Sequence, residues 1–149
     1  MGEYGVQGDV AGERQTRRVA LYQQAEGRTL KVTLYPVPGG WEDYDDERKV
    51  SGQYIQTRQE LGARLIKRGA NEVRLVMEQA IAPTADHTAQ IAAVIEASPA
   101  TANTQIAFVL SCSDVYFVHL SMEGDQLTDQ LSTLQKLTAN LVFAIQANN

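Results

Sequence analysis

The sequence predicts an α+β domain. The expected sheet is mainly antiparallel, with 4–5 strands from two hairpins over about 18–36 and 105–121. Three helices, over about 56–68, 84–98 and 125–147, are expected on one face of it. Three observations carry this expectation. Gln105 to Leu110 and Val115 to Leu120 are β-rich runs separated by the polar break Ser111-Cys112-Ser113-Asp114, a hairpin pattern. Leu30, Val32 and Leu34 alternate with Lys31, Thr33 and Tyr35, the period of a half-buried strand. Leu127, Leu131, Leu134, Leu137, Leu141 and Ile145 step by three and four, one face of a helix.

Taken in order, residues 1–14 hold four glycines among small and polar residues. Such a segment buries little and loses much entropy on ordering, so a mobile start is expected. Val19 and Leu21 form a first strand, Ala25 to Arg28 a turn, and the strand ending at Pro36 follows. Proline cannot donate to a ladder, so the strand stops there. Val37 to Lys49 reads as a loop, with Gly39-Gly40 and five carboxylates within Trp41 to Glu47. Trp41 is expected to fold back as a lid, and the acidic run to be solvated.

The next helix has an uncertain start between Ser51 and Thr57. Thr57-x-x-Glu60 has capping-box spacing, and Leu61, Leu65 and Ile66 give an apolar stripe. Gly69 suits the position after a helix end, with Lys67 and Arg68 where the dipole favours cations. Asn71 to Ile81 fits two periods. Val73, Leu75 and Met77 alternate as a strand, while Val73, Val76, Met77, Ala80 and Ile81 fit a helical face; the Gly69 stop favours the strand. Ile91, Val94 and Ile95 predict the 84–98 helix, capped by Thr84 or Asp86 and ended by Ser98-Pro99. The last helix is expected to begin at Asp125 as N-cap and to extend about 30 Å. Val142 and Phe143 widen its apolar surface enough to reach a second subunit.

The bulk properties narrow the function classes. One domain over 1–149 is expected on size, with a core that needs no staples. Thirteen Lys and Arg against 18 Asp and Glu give a net charge of −5, which opposes nucleic-acid binding. One cysteine excludes a disulfide framework and suits a reducing cytoplasm. The apolar runs are too short for a membrane span, and no signal-peptide pattern opens the chain.

Chemistry-bearing motifs are sparse. The sequence has no Walker loop, no GxGxxG, no Gly-x-Ser-x-Gly and no HExxH. Cys112 falls in the expected hairpin turn, but His119 lies roughly 20 Å further along the extended strand, too far to activate it. His87 sits at the start of the expected 84–98 helix, where a cationic imidazole is disfavoured. No metal site and no cofactor are implied. The acidic loop departs from the calcium-loop spacing.

Two functional readings follow. The first is a non-enzymatic, self-associating interaction or adaptor module, most simply a homodimer that also takes a protein partner. Its contact candidates are Arg58, Arg64, Lys67, Arg68, Val142 and Phe143, with the basic group complementing the acidic loop within one chain or between two copies. The second is a small-molecule-binding protein or small enzyme. Its pocket would lie between sheet and helices, near Trp41, Tyr44, Tyr35 and His119.

Overall fold

A computed structural model describes residues 29–84, 88–98, 105–113 and 116–147 with their side chains, and residues 5–11 and 18–23 in their backbone. The elements run β1 (Gly5–Ala11), β2 (Arg18–Gln23), β3 (Thr29–Pro36), α1 (Asp46–Lys67), β4 (Glu72–Ile81), β5 (Gln90–Ser98), β6 (Gln105–Cys112), β7 (Tyr116–Gly124), a 3-10 turn (Thr128–Gln130) and α2 (Leu131–Ala147). All seven strands join one antiparallel sheet in the order β1-β2-β3-β7-β6-β5-β4. The chain leaves β3, crosses the sheet as α1, and returns as the meander β4 to β7, which closes against β3.

Both expected hairpins form. Arg18 pairs with Leu34 and Gln23 with Thr29 across β2 and β3, and Gln105 with Gly124 and Cys112 with Phe117 across β6 and β7. The 72–81 segment is a strand, with Gly69 at φ 110° ending the preceding helix, a backbone angle that favours glycine. The glycine-rich start contributes β1; residues 1–4 and 12–17, like the 24–28 turn, lie outside the described residues.

The helices depart from expectation in number, extent and placement. There are two among the described residues, and they cover opposite faces of the sheet. Every residue of β6 is buried, with Ile106, Phe108, Leu110 and Cys112 on the α1 side and Ala107 and Val109 on the α2 side. A strand apolar on both faces needs a cover on each, which one layer of helices cannot supply.

The stretch expected as the 84–98 helix holds strand β5 instead. Ala92, Ala93, Val94 and Ile95 are all buried, and both helices pack over this strand. A doubly covered strand loses its alternation, so Ile91, Val94 and Ile95 mimicked helical spacing. Asp86 and His87 lie outside the described residues.

Helix α1 starts ten residues before position 56. Asp45 is the N-cap and accepts the Arg48 backbone N–H at 2.9 Å, with Asp46 and Glu47 in the first turn. Carboxylates there are favoured by the helix dipole, so Asp46 and Glu47 of the expected acidic loop belong to the helix. Thr57, the expected cap, is buried in mid-helix. Helix α2 starts at Leu131, six residues after Asp125. Leu127 is buried and its backbone N–H is donated to Gln105 Oε1 at 2.8 Å, which holds 125–127 off the helical path.

No helix among the described residues is long and apolar enough to cross a membrane.

Candidate functional site

A cavity of about 100 Å³ lies between α1 and the β3–β7 part of the sheet. Three short-range periodicities build it. On β3, Leu30 and Val32 enter the core under α2, which leaves Lys31, Thr33 and Tyr35 to the α1 side. On β7, His119 and Ser121 stand on that same side, and the ladder aligns Thr33 with His119 and Lys31 with Ser121. On α1, Thr57, Glu60, Leu61 and Arg64 follow at helical spacing and close the cavity from above.

Thr33, Thr57, Leu61 and Ser121 are buried, Lys31, Tyr35, Arg64 and His119 half-buried, and Glu60 exposed. Glu60 accepts the Gln56 side-chain amide at 3.2 Å. The His119 ring meets Phe108 edge-on, 6.0 Å between centroids, which fixes its plane. The lining thus combines two permanent cations, an imidazole and four hydroxyls with one carboxylate at the rim.

Beside the cavity, α1 is anchored to the sheet by a second cluster. The Tyr54 phenol donates to Glu78 Oε2 on β4 and its ring stacks on Phe108, 5.7 Å between centroids. Burial first, and then the Glu78 hydrogen bond, push the Tyr54 pKa up to about 12. Arg58 lies over the Tyr54 ring at 5.4 Å and reaches Glu78 at 3.3 Å.

The four residues expected at one pocket mouth divide between two places. Tyr35 and His119 line the cavity. Trp41 and Tyr44 line a separate groove of about 440 Å³ with Asp45, Arg48 and Gly52. Phe117 separates the two, 5.4 Å from the Tyr35 ring and 6.2 Å, edge-on, from Trp41. Trp41 does fold back on the core, half-buried over Gly52, where an added Cβ would stand 3.2 Å from the indole.

The basic group does not complement the acidic loop within the chain. Arg58 pairs with Glu78, Arg68 with Glu123 at 2.5 Å, and Arg74 with Glu96 at 2.7 Å. The loop's carboxylates serve it locally, Glu42 accepting the Gly40 N–H at 2.8 Å and Asp45 capping α1. Arg64 lines the cavity and Lys67 is exposed at the end of α1. Val142 is buried and Phe143 is 71% exposed. Cys112, expected in an exposed turn, is fully buried at the end of β6. Among the described residues no cluster of three His, Cys, Asp or Glu could hold a metal ion.

Lys31, Thr33, Thr57 and Ser121 were missed as site residues by the sequence. Their strand and helix faces were legible, but nothing in the sequence told which face α1 would cover. The sequence matches no protein-family model, and no curated protein matches it.

Proposed function

We propose that this chain is a non-enzymatic interaction module that self-associates by continuing its sheet across β4. One observation carries the reading. Strand β4 is a ten-residue edge strand with Leu75 45% and Val76 37% exposed. Edge strands are ordinarily kept short, covered or guarded by charge, because their outward backbone groups invite another strand. Two of the charges on β4 are already engaged within the chain, Arg74 by Glu96 and Glu78 by Tyr54 and Arg58.

Pairing of β4 with β4 of a second copy is isologous and closes at a dimer, whereas pairing of β4 with β1 would propagate. Phe143, exposed on α2, offers an adaptor's second apolar contact, and Lys67 a cationic one for an acidic partner. The single buried cysteine suits a reducing compartment, and the cytoplasm is the setting proposed.

Size-exclusion chromatography with light scattering, run on the natural chain over a range of concentrations, tests this. A dimer is expected, converted to monomer by Leu75→Lys with Val76→Lys. A strict monomer at about 100 μM, a concentration at which even a micromolar dimer would persist, refutes self-association. A dimer that survives both substitutions keeps self-association and removes β4 as its interface.

A further inference from the structure

We infer that the cavity beneath α1 binds a small oxyanion, a phosphate or a short carboxylate. This does not rest on the self-association, because the cavity belongs to β3, β7 and α1 while β4 forms the far edge of the sheet.

Charge and donor chemistry point to an anion. Lys31 and Arg64 bring permanent positive charge from the sheet and from the helix, and the His119 imidazole shares the lining. Hydroxyls of Thr33, Tyr35, Thr57 and Ser121 supply donors that rotate to suit an acceptor. An arginine fork matches two oxygens of one carboxylate or phosphate, and a half-buried setting strengthens each such bond over its value in water. Among the described residues of the lining the one opposing charge, Glu60, is exposed at the rim and already accepts from Gln56 at 3.2 Å.

Size narrows the class. Pockets for drug-sized ligands run to roughly 300–1,000 Å³. At about 100 Å³ this cavity encloses a compact anion and is too small to enclose a whole nucleotide. The whole chain carries −5, so long-range steering opposes anions and the recognition must come from the local lining. Partly buried charges are screened little by salt, so binding should persist at moderate ionic strength.

The experiment is a thermal-unfolding titration of the natural chain with sodium phosphate and, separately, with sodium acetate, each against sodium chloride at equal ionic strength. One of the two anions is expected to raise the midpoint with the logarithm of its concentration, by about 3–6 °C at ten times its dissociation constant. The anion whose rise sets in at lower concentration identifies the ligand class. Arg64→Met and Lys31→Met are each expected to weaken that response at least tenfold. The His119 ring resonances of the natural chain are expected to shift along the same binding curve, a readout that needs no variant. Protection no greater than chloride gives, with unmoved His119 resonances, overturns the inference. Undiminished protection in a folded Arg64→Met protein also overturns it.

Discussion

The Gln105 side chain ties the backbone of Leu127 to the carboxylate of Glu96. It accepts the Leu127 N–H at 2.8 Å and donates its amide to Glu96 Oε2 at 2.6 Å. Arg74 holds the other oxygen, Glu96 Oε1, at 2.7 Å. One glutamine thus connects the start of β6, strands β4 and β5, and the approach to α2. Replacing it with leucine strands a buried N–H and removes a donor from a carboxylate. Gln105→Leu is expected to cost about 2–3 kcal/mol and to accelerate hydrogen exchange at the Leu127 amide. The Gln105 amide, and after it Arg74, hold the Glu96 carboxyl below its usual range. A depressed carboxyl contributes stability above its unfolded pKa, and that contribution disappears as pH falls through the folded value. The gap between natural and Gln105→Leu proteins should therefore be widest near neutrality and narrow in acid. Denaturant melts at several pH values measure it; a gap that widens in acid contradicts the assignment.

Tyr54 gives the opposite limb of the pH profile. Burial and the Glu78 carboxylate favour its protonated phenol and raise its pKa to about 12. A group whose folded pKa lies above its unfolded value stabilises fully below the unfolded pKa, near 10 for tyrosine. That stabilisation is lost as pH climbs from about 10 through 12. Tyr54→Phe keeps the stacking on Phe108 and deletes the hydrogen bond. It should cost about 1.5–3 kcal/mol at pH 7, the range for a bond to a charged acceptor. Between pH 10 and 12 the natural protein should lose stability faster than the variant. Equal alkaline slopes would remove Tyr54 as the titrating group.

These two anchors show what the sequence could and could not announce. Leu30-Val32-Leu34 declared β3 because its apolar face meets the core under α2 while Lys31, Thr33 and Tyr35 turn to the cavity under α1. Ile91 to Ile95 declared nothing reliable, because cover by both helices makes that part of β5 apolar on both faces. The start of α1 hid in Asp45-Asp46-Glu47, whose carboxylates read as loop chemistry and act as cap and dipole partners. The cavity was illegible for a different reason. Its lining comes from β3, α1 and β7, and only the long-range pairing of Thr33 with His119 brings those faces together.

The register of α2 is open to a direct check. The stripe Leu127, Leu131, Leu134, Leu137, Leu141 and Ile145 predicts the inner face; its first three residues are fully buried, while Leu137, Leu141 and Ile145 pack on the same core only partly buried. Within the helix Leu131, Leu134, Thr138 and Val142 lie deepest. Thr138 is tolerated there because its hydroxyl donates to the Leu134 carbonyl at 2.7 Å. Val142→Ala should therefore cost about 2 kcal/mol, a sum of lost transfer energy and a small cavity. Phe143→Ala, despite the larger side chain, should change monomer stability by no more than about 0.5 kcal/mol. Urea melts of the two variants rank them; a reversed order would mean that α2 is rotated about its axis.

Cys112 separates a reactive turn from a sealed core. Its side chain is fully buried, with the sulfur 4.0 Å from the Asp46 carbonyl at the start of α1. Attack by a disulfide reagent needs an exposed thiolate, so labelling must wait for an opening that lifts α1 from β6. If that opening approaches global unfolding, even a marginal stability of about 5 kcal/mol slows labelling by more than about 10³-fold. Native protein should therefore react at least that much more slowly than the same chain in guanidinium. Rapid stoichiometric labelling under native conditions would show that the α1 N-terminal half detaches readily. It would also unseat Trp41, which packs over Gly52 in that half of the helix.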